Sequence, residues 1–166
     1  FDPNTGFVFV ASQDVGALGA VEKSKEGSPL PYQKTTPGRS TFDVRIGESN
    51  WPCQKPPWGR LMAVNASTGD IAWQVRLGIT EGLPPDKQNT GRPLLAGAIV
   101  TSSGLLFIAS TDDNRFRALD AKTGRELWVT TLERRGNADA MTYQGANGKQ
   151  YVAVAATETI AAFALP

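Results

Sequence analysis

The chain has 166 residues with 17 basic and 16 acidic side chains, so its net charge is +1 at pH 7. This balance argues against nucleic acid or an anionic membrane surface as the main partner. Hydrophobic residues make up 40% of the chain, which is ordinary for a globular domain, and no apolar run approaches the roughly 18 residues of a membrane-spanning helix.

The N-terminal third of the chain divides into a strand region and a long insert. Residues 1–12 predict a hairpin-like pair of strands around the turn Pro3–Gly6. Residues 13–59 show no strand periodicity and are rich in glycine and proline. We therefore expect 13–59 to be a long inserted loop within the first repeat unit, and loops of this length are usually functional or disordered.

The strongest pattern in the chain is a sequence repeat. Ala63–Leu77 and Ala118–Leu132 both match A-x-N/D-x-x-T-G-x-x-x-W-x-x-x-L, which places Trp73 and Trp128 55 residues apart. In each copy a β-prone run leads into a turn that ends in Thr-Gly, and the return strand carries the tryptophan. A tryptophan can bury ~150–250 Å², so its repeated position predicts a wedge between neighbouring units, as in the tryptophan docking motif of β-propellers.

A second pattern extends the repeat to three copies. Gly6–Ser12, Gly104–Ser110 and Gly148–Val154 share one strand pattern. Residues 94–132 predict one complete four-stranded blade, and 141–165 predict the strands of a following blade. The sequence therefore predicts an all-β fold, a partial arc of about three four-stranded propeller blades of which the first and last are incomplete.

The order of these motifs resembles one protein family. Pro52–Gly59 reads P-C-Q-K-P-P-W-G and runs directly into the first Trp hairpin, while Met141–Val152 and Ala162–Pro166 resemble the family's last blade. The complete blade is similar to L-G-G-P-I-x-T-x-G-x-x-F-I-x-A-T-x-D-N-x-x-R-A-x-D-x-x-T-G-x-x-L-W. These motifs resemble the quinoprotein dehydrogenases that use pyrroloquinoline quinone (PQQ), in the membrane-bound glucose/quinate/shikimate branch. The resemblance places 1–166 in the C-terminal part of an eight-bladed propeller.

The resemblance implies a chemistry for the parent protein. Family members oxidise an alcohol or polyol by hydride transfer to PQQ, which is held with Ca²⁺ or Mg²⁺ on the propeller axis, and ubiquinone accepts the electrons. It also implies a periplasmic protein, anchored to the inner membrane by an upstream segment. The family's general base lies upstream of this chain, so we assign no catalytic residue and no metal ligand here.

Four residues match family positions near the cofactor. Asp113, Asn114 and Arg117 come from the T-x-D-N-x-x-R pattern, and Gly97 matches a glycine of the axial strand where a small residue lets a flat ring approach. Each has a structural alternative: Asp113 and Asn114 form an ordinary hairpin turn, and Arg117 pairs with a neighbouring carboxylate. For Trp58 we favour a role as a loop anchor.

The chain also departs from the family pattern. Ala96 and Ala98 flank Gly97 where the family has G-G-P, and Ala155–Thr159 replaces a glycine-rich insert that carries a histidine. The chain has no histidine, which also excludes a Ser-His-Asp triad. The missing insert favours the alternative of a non-catalytic propeller scaffold or interaction module. Because an open arc exposes two strand edges, we expect the isolated chain to self-associate or to sit inside a larger assembly.

Overall fold

The computed structural model describes residues 1–36, 41–47 and 49–164. Leu165 and Pro166, which end the C-terminal run used for the resemblance, lie outside the described residues. The chain separates into two compact units, one made of Phe1–Gln13 with Pro57–Pro166 and the other of Asp14–Pro56. The second unit falls within the predicted insert 13–59.

Short antiparallel strands account for nearly all of the regular structure in the described residues. In chain order they are β1 Phe7–Gln13, β2 Ala20–Lys23, β3 Tyr32–Thr35, β4 Asp43–Ile46, β5 Ser49–Pro52, β6 Gly59–Asn65, β7 Ile71–Arg76, β8 Ile99–Val100, β9 Leu105–Ile108, β10 Arg115–Asp120, β11 Glu126–Thr131, β12 Met141–Gln144, β13 Gln150–Ala156 and β14 Thr159–Ala164. A 3-10 turn at Pro85–Lys87 lies in the connection between β7 and β8.

The larger unit contains three antiparallel sheets in succession. Their strand orders are β1-β6-β7, β11-β10-β9-β8 and β12-β13-β14. Only the middle sheet has four strands, so the predicted all-β fold of one complete and two incomplete blades is confirmed. At the N-terminus, the predicted entry hairpin is reduced to a single bridge between Asp2 and Phe7, the first residue of β1.

The insert carries strands that its sequence pattern did not predict. In the described part of Asp14–Pro56, β2 pairs with β3 and β4 pairs with β5 as two separate hairpins. Each strand has only four residues. Runs this short give too few alternations of polar and apolar residues to stand out against the surrounding glycines and prolines.

Alternation along the strands builds the contacts between neighbouring sheets. Leu61, Leu106 and Leu119 are fully buried between the first and second sheets. Phe116 and Val154 are buried in the same way between the second and third sheets. Successive side chains of a strand point to opposite faces of its sheet. The inner strands of the middle sheet, β9 and β10, therefore contribute side chains to both interfaces, and the three sheets form a continuous stack.

Trp73 joins the first repeat to the second. Its indole Nε1 donates a hydrogen bond of 3.0 Å to the carbonyl oxygen of Ala121, in the Thr-Gly turn of the next unit. A Cβ atom built on Gly124 of that turn would lie 2.6 Å from Trp73 Cε3, so the ring rests directly on the glycine. The matching tryptophan, Trp128, contacts the rings of Phe116 and Phe163.

Two glycines in equivalent turns test the contribution of this contact. Gly69 and Gly124 both have positive φ, at 79° and 71°, but a Cβ on Gly69 would have nothing within 4 Å. In the isolated chain, we expect Gly69→Ala to lower the free energy of unfolding by about 1 kcal/mol through backbone strain alone. Gly124→Ala should cost about 1–3 kcal/mol more, because its methyl group would overlap the Trp73 ring.

Urea denaturation of both variants measures this difference, with Gly69→Ala as the matched control. Equal losses of stability in the two variants would contradict the ring-on-glycine contact. Trp73→Ala combined with Gly124→Ala should bring the cost of the glycine substitution back to that of Gly69→Ala, since the overlap is then removed.

Candidate functional site

The predicted site residues gather at one end of the sheets. Neighbouring strands of the four-stranded sheet run in opposite directions. The turn between β9 and β10 therefore lies at the same end of this sheet as the residues that precede β8. The residues that lead into β12, and the turn between β13 and β14, occupy this end of the third sheet. Gly97 and the turn that holds Asp113 and Asn114 both belong to this end.

Asp113 is committed to hydrogen bonds within the fold. Its carboxylate pairs with Arg117 Nη2 at 2.5 Å, and both side chains are only about 5% exposed. It also accepts hydrogen bonds from Thr111 Oγ1 at 2.6 Å and from the Ile79 backbone N–H at 2.9 Å. The Ile79 bond ties the connection after β7 to the turn between β9 and β10.

These partners determine the protonation of Asp113. Burial alone raises the pKa of its carboxyl group, but the hydrogen bond and charge of Arg117, with the bonds from Thr111 and Ile79, outweigh burial. The pKa of Asp113 therefore lies below its ordinary value of 3.8. At neutral pH the group is a carboxylate whose lone pairs are already directed at donors of the same chain.

A second ion pair, in which Arg92 is buried and Asp112 is partly exposed, lies beside the first. Arg92 holds Asp112 in a two-pronged contact, with Nε to Oδ1 at 2.6 Å and Nη2 to Oδ2 at 2.8 Å. The same guanidinium lies 5.7 Å from the ring centroid of the buried Trp58. The contact fits the expected anchoring role of Trp58. The sequence reasoning missed Arg92 and Asp112, because nothing in their local pattern distinguishes a buried pair from solvated charges.

Arg135 fastens the connection between β11 and β12 to the second sheet. Its Nε and Nη2 donate to the carbonyl oxygen of Ser110 at 3.1 and 3.0 Å, and Nη2 also donates to that of Pro93. Burial lowers the pKa of this guanidinium from its ordinary value. The sequence analysis did not select Arg135, since its partners are backbone atoms that carry no sequence signal.

Of the remaining predicted residues, Gly97 is exposed and Asn114 is half-buried. The Gly97 N–H donates a hydrogen bond of 2.6 Å to Asp139 Oδ1, which belongs to the connection before β12. Asn114 has a φ of 57°, which asparagine tolerates better than most residues, and its carbonyl oxygen accepts from the Leu132 N–H. Thus Asp113 and Arg117 hold the turn from inside, while Asn114 is half-buried in the turn and Gly97 is exposed in the residues before β8.

The site offers a backbone donor, the Gly97 N–H, for an anionic ligand. Gly97 fits such a ligand, because its amide already holds a carboxylate group, that of Asp139. No group of three or more metal-binding side chains occurs among residues 1–36, 41–47 and 49–164. A cleft of about 330 Å³ lies elsewhere, between β7 and the β10–β11 pair, and Arg117 is the single predicted residue that lines it.

Comparison with known proteins identifies the family. The model of the family "PQQ: Glucose/ethanol/alcohol dehydrogenase, beta-propeller domain" matches residues 1–152. This chain belongs to that PQQ dehydrogenase propeller family. The resemblance drawn from the Trp repeat and the P-C-Q-K-P-P-W-G run is therefore confirmed.

Individual relatives agree with this assignment. The quinoprotein glucose dehydrogenase of Escherichia coli (strain K12) is 37% identical over 135 residues, which cover 78% of this chain and 17% of that protein. The probable quinate dehydrogenase (quinone) of Xanthomonas campestris pv. juglandis is 41% identical, over 84% of this chain and 19% of that protein. The chain thus spans about a fifth of the length of these curated relatives.

Solved structures support the propeller fold of this family member. A europium-containing methanol dehydrogenase superposes with a TM-score of 0.57 at 24% identity, covering 93% of this chain and 23% of that chain. The quinohemoprotein alcohol dehydrogenase from Comamonas testosteroni gives a TM-score of 0.56 at 23% identity, covering 94% of this chain and 21% of that chain.

In the described part of the chain, no helix is long and apolar enough to cross a membrane.

The buried pair predicts a pH-dependent loss of stability. At pH 7 we expect Asp113→Asn to lower the free energy of unfolding by about 3 kcal/mol, because Arg117 loses its buried counterion. Since the pKa of Asp113 is lowered in the folded state, the pair stabilises the fold above the ordinary aspartate pKa. That contribution is lost as pH falls through the folded-state pKa.

Urea denaturation at pH 7 and at several values below about pH 4 measures both effects. On acidification the wild type should lose more stability than Asp113→Asn, so the two curves converge. Asp70→Asn makes the same charge change on an exposed turn and should alter stability at pH 7 by no more than about 0.5 kcal/mol. Parallel curves for wild type and Asp113→Asn would contradict the assignment.

Proposed function

We propose that this chain is part of a PQQ-dependent dehydrogenase that oxidises an alcohol or polyol and passes the electrons to ubiquinone. The observation that carries the proposal is the family match over residues 1–152. Relatives named as glucose, quinate/shikimate and glycerol dehydrogenases support a substrate with several hydroxyl groups. The predicted periplasmic location and membrane anchoring stay predictions.

In this proposal the chain contributes one wall of the cofactor site. When bound, PQQ would accept the hydride, and with it two electrons, from the C–H bond of the substrate. The Gly97 N–H is suited to donate to an anionic oxygen of the cofactor, and the side-chain amide of the half-buried Asn114 can add a further hydrogen bond. Asp113 and Arg117 position that amide by fixing the turn.

The metal ion and the general base have a different place in the proposal. The described residues form no multidentate group of metal-binding side chains, so we assign the ligands of the predicted Ca²⁺ or Mg²⁺ ion to parts of the propeller outside this chain. The base that removes the hydroxyl proton is assigned there as well. Direct contact of Asp113 or Arg117 with the cofactor stays a prediction, because both side chains are buried in their own pair.

A further part of the proposal concerns how the chain joins the other blades. Ala66 and Gly69 occupy the positions that Ala121 and Gly124 have in the next repeat, where Trp73 binds. A Cβ on Gly69 meets nothing within 4 Å, and Val8 and Val10 on the same sheet are each 38% exposed. We propose that the turn at Gly69 receives a tryptophan from another blade.

The non-catalytic scaffold remains the second candidate. It is favoured by the turn between β13 and β14, where the family pattern has a glycine-rich insert. Here Thr157 turns the chain directly, with a φ of 60° that is unusual for a β-branched residue. Under this reading the chain uses the propeller fold for interaction alone, and self-association of the isolated chain stays a prediction of either reading.

PQQ titration separates the two candidates. We expect the natural protein that contains this chain to bind PQQ saturably in the presence of Ca²⁺ or Mg²⁺, as followed by calorimetry and cofactor absorbance. Asn114→Gly should weaken binding by about tenfold or more, because a hydrogen bond to a charged group is lost while glycine retains the positive φ.

Asn147→Gly is the matched control, since Asn147 lies in the distant turn between β12 and β13. It should leave PQQ affinity unchanged. Absence of saturable binding at millimolar metal would refute the dehydrogenase proposal and support the scaffold. Binding that is unaffected by Asn114→Gly would retain the dehydrogenase and remove Asn114 from the site.

A further inference from the structure

The carboxylate of Asp139 covers the place where Gly97 would meet a ligand. Asp139 Oδ1 accepts the Gly97 N–H at 2.6 Å. A Cβ atom built on Gly97 would lie 3.2 Å from Oδ1 and 3.6 Å from Oδ2. The space that the absence of a side chain leaves open at Gly97 is therefore filled by a carboxylate from the next sheet's connection.

The surroundings of this contact point to a surface that a ligand can reach. Gly97 and Asp139 are both exposed, and Leu95, two residues before Gly97, is 69% exposed. Within the described residues, no lysine or arginine forms an ion pair with Asp139. The contact consists of one backbone donor and one carboxylate in water, which is easily exchanged for another anionic acceptor.

The connection that carries Asp139 is held independently of it. Arg135 binds the carbonyl oxygens of Ser110 and Pro93, and Asn137 Nδ2 donates to Thr157 Oγ1 at 3.2 Å. These contacts fasten the connection to the second and third sheets. Asp139 can therefore change its side-chain rotamer without displacing the backbone on either side.

We infer that Asp139 competes with an anionic group of the cofactor for the Gly97 N–H and so limits cofactor affinity. The inference rests on the proposed function and assigns a specific role within it. PQQ is a flat quinone that carries carboxylates, so its approach to Gly97 both displaces the Asp139 carboxylate and brings like charges together. The side chain of Asp139 thus lowers the affinity of the protein for the cofactor.

Two substitutions divide this effect into its parts. Asp139→Asn removes the charge but retains an oxygen that can accept from Gly97, whereas Asp139→Ala removes both. We expect PQQ to bind about fivefold more tightly to Asp139→Asn, from the loss of one nearby like charge. Asp139→Ala should bind about 25-fold more tightly, because the competing hydrogen bond is also removed.

Affinity is measured on the natural protein by PQQ absorbance and calorimetry, with Asp70→Asn as the charge-matched control that should bind like wild type. The NMR resonance of the Gly97 amide gives an independent readout. In the absence of cofactor, it should differ between Asp139→Ala and the wild type. Addition of PQQ should shift it in the wild type. Thermal unfolding of each variant establishes that the affinities compared are those of folded proteins.

The outcomes distinguish this inference from the proposed function. Saturable binding to wild type with unchanged or weaker binding to both Asp139 variants would overturn the inference and leave the proposed function intact. Absence of binding to wild type and to both variants would overturn both. Equal tightening in Asp139→Asn and Asp70→Asn would also overturn the inference, since net charge alone would then explain the change.

Discussion

Two carboxylate–guanidinium pairs at one turn constrain much of this structure. Asp113 and Arg117 are both buried, and Arg92 is buried against the partly exposed Asp112, so the three buried charged groups must find nearly all of their hydrogen bonds inside the chain. The donors come from the turn itself, from β10 and from the connection after β7. Satisfying these charges thereby aligns the first sheet with the second and fixes where Gly97 and Asn114 lie.

This constraint also sets the surroundings of the residues that the family motif selected. The T-x-D-N-x-x-R pattern selected residues that lie together in space, but the two charged ones point into the fold. A carboxylate that already accepts from Arg117, Thr111 and Ile79 has little capacity left for a ligand. The donors that we propose for a ligand are instead the exposed Gly97 N–H and the side-chain amide of the half-buried Asn114.

The sequence predicted features that depend on local order and failed on those that do not. The Trp hairpins were predictable because the turn, its glycine and the alternating strand residues are all within about fifteen positions of each other. The contact between Gly97 and Asp139 joins residues that are 42 positions apart and lie before β8 and before β12, and Arg135 binds backbone carbonyls. Neither kind of contact leaves a pattern in one sequence. The hairpins of the insert were missed because their strands are too short.

The contacts of Trp73 that join the sheets lie far from the residues that we propose for the ligand site. Trp73 meets Ala121 and Gly124 in the turn after β10, whereas Gly97 and the Asp113 turn lie at the opposite end of the sheet. A six-residue strand such as β10 spans about 20 Å. Substitutions such as those at Asp139 or in the turn at Thr157 can therefore alter the ligand-facing end while the tryptophan contacts hold the sheets together. This separation allows the chain to keep a propeller framework while departing from the family pattern at the end where we propose that the cofactor binds.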